Sequence, residues 1–129
     1  MKPVPPNPAI RFLARAWASP NTLLGVALGL VNGNLPARFA DSLDIHLHRR
    51  GPVAHICSRL GIHAFTLGDC VLWNVAPTPR LRIHELRHVT QYRLLGPFFL
   101  PLYFVLLLLF GYWNHPLERD ARNAVRNSS

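Results

Sequence analysis

The sequence predicts an α+β protein in which a small antiparallel sheet packs on one central helix and further hydrophobic helices surround them. Three observations predict this class. Apolar residues alternate with a period of two between 38 and 75, and they recur at helical spacing in 80–95 and 116–126. The stretches 9–36 and 97–113 hold apolar runs longer than single strands. A length of 129 residues suits one domain, 1–129, with a modest core.

The composition favours an anionic partner and lipid contact. The formal net charge is +8, while 50% of the residues are hydrophobic and 16% are charged. The arginines are scattered, with Arg49 and Arg50 as the only adjacent pair, and no nucleic-acid motif accompanies them. Membrane lipid is therefore the expected anionic partner, and nucleic acid is disfavoured. Cys57 and Cys70 lack the spacing of a metal site or a disulfide framework, which indicates a reducing compartment.

The first third of the chain is expected to be helical after an extended lead-in. Residues 1–8 are rich in proline and are predicted to form a polyproline-like segment. Residues 9–18 place apolar side chains opposite arginines, as in a basic amphipathic helix that lies either on a membrane surface or against the core. A second helix, 19–31, is predicted to begin at a cap residue, Ser19 or Asn21, and to be buried or shallowly inserted.

The region 38–75 is expected to supply two to four antiparallel strands, including "DSLDIHLHRRG" and "HAFTLGDCVLW". His46 and His48 lie two residues apart, so on a strand they share one face. A third metal ligand at a suitable spacing is missing beside them. We therefore predict that both are surface residues.

The helix predicted at 80–95, "RLRIHELRHVTQYRLL", carries the residues that could bind a metal. His84 and His88 are four apart, which stacks both imidazoles on one side with about 5 to 6 Å between their Cβ atoms. Glu85 lies on the flank, where a carboxylate can take a proton from zinc-bound water. A catalytic zinc usually has three protein ligands, so one more must come from elsewhere. The only other glutamate in the chain is Glu118, at the start of the last predicted helix.

The uncharged run from Leu94 to Trp113 is a transmembrane candidate by length and polarity. A straight span would cross about 30 Å of hydrocarbon and separate Glu118 from the two histidines. Gly96 and Pro97 break the chain directly after the helix that carries the histidines, however, so we predict that residues 98–110 form a helix that returns antiparallel to 80–95. This hairpin would bring Glu118 to the histidines and lay its apolar outer face against lipid or a partner.

Residues 63–124 resemble the gluzincin type of HExxH zinc metallopeptidase. They resemble more closely a group of small bacterial proteins with a strand, an "HExxHxxQY" helix, a Gly-Pro break and an "NPxExxA"-like helix. The resemblance implies a zincin-like fold with Zn²⁺ bound by His84, His88 and Glu118. It also implies that Glu85 is the general base and that "AFTLGDCVLW" is an edge strand that pairs with an extended substrate.

The chain departs from the gluzincin pattern after the ligand glutamate. Those enzymes often carry an aspartate four residues later, which orients a zinc-bound histidine. Arg122 occupies that position here, and Asp120 lies half a turn before it. Further residues expected to orient ligands, contact substrate or stabilise an oxyanion are Gln91, Tyr92, Tyr112, His115 and Asp120.

These observations predict a zinc-dependent metallopeptidase that hydrolyses peptide bonds of a peptide or protein substrate with a zinc-bound water activated by Glu85. We expect it to be membrane-associated, with its catalytic face in the cytoplasm. A soluble cytoplasmic location is the alternative. Two other functions stay open: a small integral membrane protein without catalysis, and a metal-binding scaffold.

Overall fold

A computed structural model describes residues 7–40 and 42–128, and its α+β architecture confirms the predicted class. Residues 1–6 of the predicted lead-in lie outside the described residues, and Pro8 is already helical. The elements are α1 (Pro8–Val31), β1 (Ala37–Phe39), β2 (Ser42–His46), α2 (Pro52–Leu60), β3 (Ala64–Leu67), β4 (Cys70–Trp73), α3 (Pro79–Leu95), a 3-10 turn (Gly96–Phe98), α4 (Phe99–Phe110) and α5 (Pro116–Ser128).

The four strands form one mixed sheet in the order β1-β2-β4-β3. The pairs β1–β2 and β3–β4 are antiparallel as predicted, whereas the central pair β2–β4 is parallel. The difference arises from α2, which lies inside the region assigned to strands and carries the chain back before β3 begins. Its sequence signals are Pro52 at the first helical position and Gly61, in the left-handed conformation, just after the end.

α1 is one helix, whereas the sequence predicts two. Pro20 lies inside it and lacks the N–H that would bond to the carbonyl of Ala16. The Ser19 hydroxyl donates to that carbonyl instead, at 2.7 Å, which compensates for the missing bond. Ser19 and Asn21 are therefore interior residues rather than caps. The helix is capped by Asn7, whose side chain accepts from the Ala9 N–H.

Small residues of α1 let it pack closely on one face of the sheet. Gly25 and Gly29 are buried, and a Cβ on Gly25 would lie 3.0 Å from Cβ of Cys70. A Cβ on Gly29 would meet the side chain of Ile45. The main core, which includes Ile45 and Leu72, is formed where α1 contacts this face.

α3 covers the opposite face of the sheet. Arg82 and Arg93 of this helix are only partly exposed, and each lies against an aspartate of the sheet region. Arg82 lies 3.0 Å from a carboxylate oxygen of Asp44, and Arg93 donates to Asp69 at 2.8 Å. These ion pairs hold α3 against the sheet in the orientation that decides where its histidines point.

The break predicted at Gly96 is confirmed. Gly96 has φ +55°, and the indole of Trp17 occupies the space that a Cβ would need. The side chain of Asn21 donates to the Gly96 carbonyl at 3.0 Å, so α1 holds the bend from outside. After the bend, Phe99 stacks on Tyr92 with 3.7 Å between ring centroids, which directs α4 back towards α3.

The segment from Pro79 to Phe110 is the one helical stretch in the described residues that is long and apolar enough to cross a membrane. An 18-residue window of it has a mean hydropathy of 2.0, and 11% of that window is buried. The bend at Gly96 divides this segment, and α4 itself is 12 residues long.

Candidate metal centre

α3 presents the two histidines of the predicted motif on one side. Thr78 caps the helix by accepting from the Leu81 N–H, and Pro79 fixes the first turn. His84 and His88 follow one turn apart, and their ring centroids are 5.0 Å from each other. His88 is buried and His84 is half-buried.

α5 brings Glu118 to the histidines because His115 fixes the start of that helix. The Nδ1 atom of His115 accepts from the Leu117 N–H at 3.1 Å, so its Nε2 atom carries the proton and donates to the Tyr103 carbonyl at 2.8 Å. Both ring nitrogens of this fully buried residue are therefore used by backbone groups. His115 positions α5 and is not itself available to a ligand, in contrast to the prediction that it orients a ligand or contacts substrate.

Three ligand atoms converge between α3 and α5. Oε2 of Glu118 lies 3.0 Å from Nε2 of His84 and 3.3 Å from Nε2 of His88. All three atoms lie within 4.8 Å of one another. Tetrahedral zinc with bonds of about 2.0 to 2.1 Å separates its ligand atoms by about 3.3 Å, so the set has the spacing that a metal ion requires.

Gln91 holds the ring of His88 through its Nδ1 atom. Its side-chain oxygen lies 2.8 Å from Nδ1 of His88, and an amide oxygen only accepts. The Nδ1–H group of His88 therefore donates to Gln91. The Glu118 carboxylate also only accepts, so its hydrogen bond with His88 needs a second proton on Nε2, and loss of that proton would leave the Nε2 lone pair for a metal ion. This is the arrangement that orients a metal-bound histidine from outside the site.

Asp120 acts on His88 through Gln91. The Gln91 amide nitrogen donates to Asp120 and to the Leu117 carbonyl, both at 2.9 Å, and Arg87 donates to Asp120 at 2.7 Å. The carboxylate expected four residues after Glu118 is thus replaced by an indirect link, in which an aspartate two residues after it fixes a glutamine. Gln91 thus contacts His88 directly and Asp120 contacts Gln91, while their role in orienting a metal ligand stays a prediction.

Tyr103 of α4 is a contact that the sequence analysis does not identify. Its hydroxyl donates to Oε1 of Glu118 at 2.7 Å. Oε1 also lies 3.2 Å from Nε2 of His88, so both carboxylate oxygens are near the histidines. Tyr103 is the only polar side chain between Phe98 and Phe110, and this is the signal that could have revealed it. Burial alone would raise the pKa of Glu118, but its hydrogen bonds with His84 and His88 hold that pKa well below its usual range.

Glu85 is buried beside the three ligands and faces β3. The Thr66 hydroxyl donates to Oε2 of Glu85 at 2.7 Å, a second contact that the sequence does not reveal. Thr66 pairs with Val71, which places its side chain on the sheet face covered by α3. Burial raises the pKa of Glu85, and the neighbouring His88 and the Thr66 hydrogen bond offset part of that shift.

A groove of about 1490 Å³ opens over these residues. One wall is formed by α2 and β3, the other by α4 and α5, and most of the lining is apolar. β3 is an outer strand of the sheet, as the resemblance implies for residues 64–67, while β4 lies inside. Tyr112 and Tyr92 both line the groove, and Tyr92 also packs in the core against Phe99.

The remaining histidines take no part in this cluster. His46 and His48 are exposed, as predicted, and His46 lies 3.9 Å from Asp44. His55 and His63 are also exposed. Within the described part of the chain, His84, His88 and Glu118 are the one group whose ligand atoms are close enough to share a metal ion.

The protein thus has a possible metal site with two histidines and one glutamate, and the identity of the ion is not fixed by these three side chains alone. Comparisons with protein-family models, with curated proteins and with solved structures find no match to this chain.

Proposed function

We propose that the protein is a zinc-dependent metallopeptidase that works in association with a membrane. The observation that carries the proposal is the convergence of Nε2 of His84, Nε2 of His88 and Oε2 of Glu118 within 4.8 Å, beside the buried carboxylate of Glu85. Two histidines and one glutamate are the ligand set of thermolysin-type sites, which keep the fourth position for water. This supports the gluzincin-like assignment made from the sequence.

The residues of the chain have separate tasks in this proposal. His84, His88 and Glu118 would hold zinc, which supplies a Lewis acid and an acidified water when it is bound. Glu85 accepts the proton of the attacking water, and Thr66 keeps the carboxylate in place. Gln91 and Tyr103 hold His88 and Glu118 in the orientation that metal binding requires.

The open outer edge of β3 favours a peptide as the substrate. Ala64–Leu67 pairs with β4 on one side only within the described residues, and the same strand borders the groove. An extended peptide can add to such an edge through main-chain hydrogen bonds. Its scissile bond would then lie near Glu85, because Thr66 of this strand contacts that carboxylate.

The test compares the purified wild type with Glu85→Gln for zinc content and for cleavage of a peptide library. We expect about one zinc per chain in both proteins, and cleavage by the wild type only, because the amide keeps the shape of Glu85 but cannot accept the proton. The control is Thr90→Gln, an exposed position of the same helix, which should cleave as the wild type does.

The result also separates the alternatives. Tight zinc binding without any peptide cleavage by the wild type would refute the peptidase and support the metal-binding scaffold. Equal cleavage by Glu85→Gln would refute the role of Glu85. Absence of bound zinc after zinc-replete preparation would refute the metal site itself.

A further inference from the structure

Exposed apolar side chains are concentrated on two helices. On α1, Phe12, Leu13 and Leu23 are 72%, 64% and 69% exposed. On α4, Val105, Leu108 and Leu109 are 52%, 88% and 69% exposed. A soluble protein rarely leaves such a large set of apolar side chains in water. We call the exposed apolar faces of α1 and α4 together the outer apolar surface.

The two halves of this surface meet at the bend between α3 and α4. Trp17 of α1 packs against Phe98 with 5.8 Å between ring centroids, and Phe98 is itself 64% exposed. The hydrogen bond from Asn21 to the Gly96 carbonyl fixes α1 at the same place. The surface is therefore continuous, and its two helices are held in one arrangement.

The charges around the outer apolar surface have one sign. α1 contains no acidic residue, α4 has no charge at all, and the whole chain has a formal net charge of +8. The acidic residues in the described part of the chain are buried or ion-paired elsewhere: Asp44, Asp69, Glu85, Glu118 and Asp120. A partner for this surface has to be apolar at its centre and anionic at its margin. A bilayer with anionic headgroups has both properties.

We infer that the outer apolar surface docks on an anionic lipid bilayer and lies in one leaflet without crossing it. The inference rests on the membrane association proposed above and adds the surface, the lipid class and the depth. α4 spans about 18 Å at 1.5 Å per residue, which is shorter than the roughly 30 Å of a hydrocarbon core. Tyr103 also ties the inner side of α4 to Glu118, so this helix cannot be surrounded by lipid. A second copy of the chain is disfavoured as the occupant, because both copies carry a net charge of +8.

The first experiment measures flotation of the full chain with vesicles of phosphatidylcholine, with and without phosphatidylglycerol. We expect binding to the vesicles that contain phosphatidylglycerol, and weaker binding at high salt. The double variant Leu102→Glu, Leu108→Glu should reduce the bound fraction at least about tenfold, because both side chains enter the apolar layer. The matched control is Leu35→Glu, which changes a side chain that is 79% exposed but lies outside α1 and α4.

The outcomes are distinct from those of the peptidase test, because flotation does not depend on hydrolysis. Circular dichroism and zinc content of the double variant should equal those of the wild type, which separates lost docking from lost folding. Undiminished flotation of the double variant would show that the outer apolar surface is not the lipid-binding surface. Equal binding to both vesicle types would show that anionic lipid is not preferred. A dimer in solution that is disrupted by the double variant would identify a second copy as the occupant and overturn the inference.

The second experiment tests the depth with single added thiols at Thr90→Cys and Asn123→Cys, two exposed positions on α3 and α5. Cys57 and Cys70 are buried, so the added thiol is the one that an impermeant reagent reaches. We expect both positions to be labelled from the same side of sealed vesicles. Labelling from opposite sides would show that α4 crosses the bilayer and would overturn the inference.

Discussion

The two sides of α4 have opposite chemistry. Its inner side contributes Phe99 and the Tyr103 hydroxyl to the candidate metal centre. Its outer side presents Val105, Leu108 and Leu109 to the surroundings. α4 therefore makes its polar contact on the inner side and leaves its apolar side chains on the outer side.

The two sides of α4 point to two separate requirements, an ordered polar network on the inner side and a partner on the outer side. Buried polar groups are costly unless they are paired, so the network from Arg87 through Asp120 and Gln91 to His88 indicates a requirement for an oriented histidine. Exposed apolar residues weaken solubility unless something covers them, so the outer side of α4 indicates a partner. Variants on each side should therefore change different measured quantities.

The largest expected effect is on the inner side. The double variant His84→Ala, His88→Ala removes two of three ligands, so its zinc content should fall from about one per chain to an undetectable level, as measured by metal analysis. The control is His46→Ala, His48→Ala, a pair of exposed histidines that should leave zinc content unchanged. Full zinc occupancy in the first variant would refute the site.

An intermediate effect is expected from Gln91→Leu. The variant keeps all three ligands but leaves Nδ1 of His88 without its acceptor, so zinc affinity should fall about 10- to 100-fold in competition with a chelating dye. Arg87→Ala removes only the exposed end of the same network and should change the affinity by no more than about twofold. An unchanged affinity in Gln91→Leu would show that His88 needs no orientation from α5.

The smallest effect is expected where α1 meets the sheet, away from both the metal and the proposed lipid surface. Gly25→Ala places a methyl group against Cβ of Cys70 and Cβ of Leu67, atoms that cannot move away without the backbone. The free energy of unfolding should fall by about 1 to 2 kcal/mol in urea titrations, after allowance for the better helix propensity of alanine. Zinc affinity should stay unchanged. The neighbouring exposed variant Leu24→Ala should change stability by no more than about 0.5 kcal/mol.

The sequence identified the three residues of the possible metal site because two of them are local. His84 and His88 are related by helical spacing alone, and Glu118 could be identified because the chain has only one other glutamate. Thr66 and Tyr103 could not be predicted in the same way, since their contacts with Glu85 and Glu118 depend on how β3 and α4 pack against α3 and α5. Periodicity does not contain that information.

The errors in the predicted fold have the same origin. Strand periodicity identifies β2 and β4 but not their parallel pairing, which depends on the short helix α2 between them. Ser19 and Asn21 are residue types that often cap helices, so the sequence predicts two helices where α1 is one. The Ser19 hydroxyl that satisfies the Ala16 carbonyl allows one continuous helix instead.

The position of Glu118 has a further consequence for the kinetics of metal exchange. His88 and Glu118 are 30 residues apart, and both are buried. An ion held by both residues would close the loop that contains α4. Because only the folded state would bind this ion, it would slow unfolding more than it speeds folding. Exchange of the ion would then require α5 to separate from α3. The rate of exchange would be set by local opening of the hairpin rather than by the lifetime of a single metal–ligand bond.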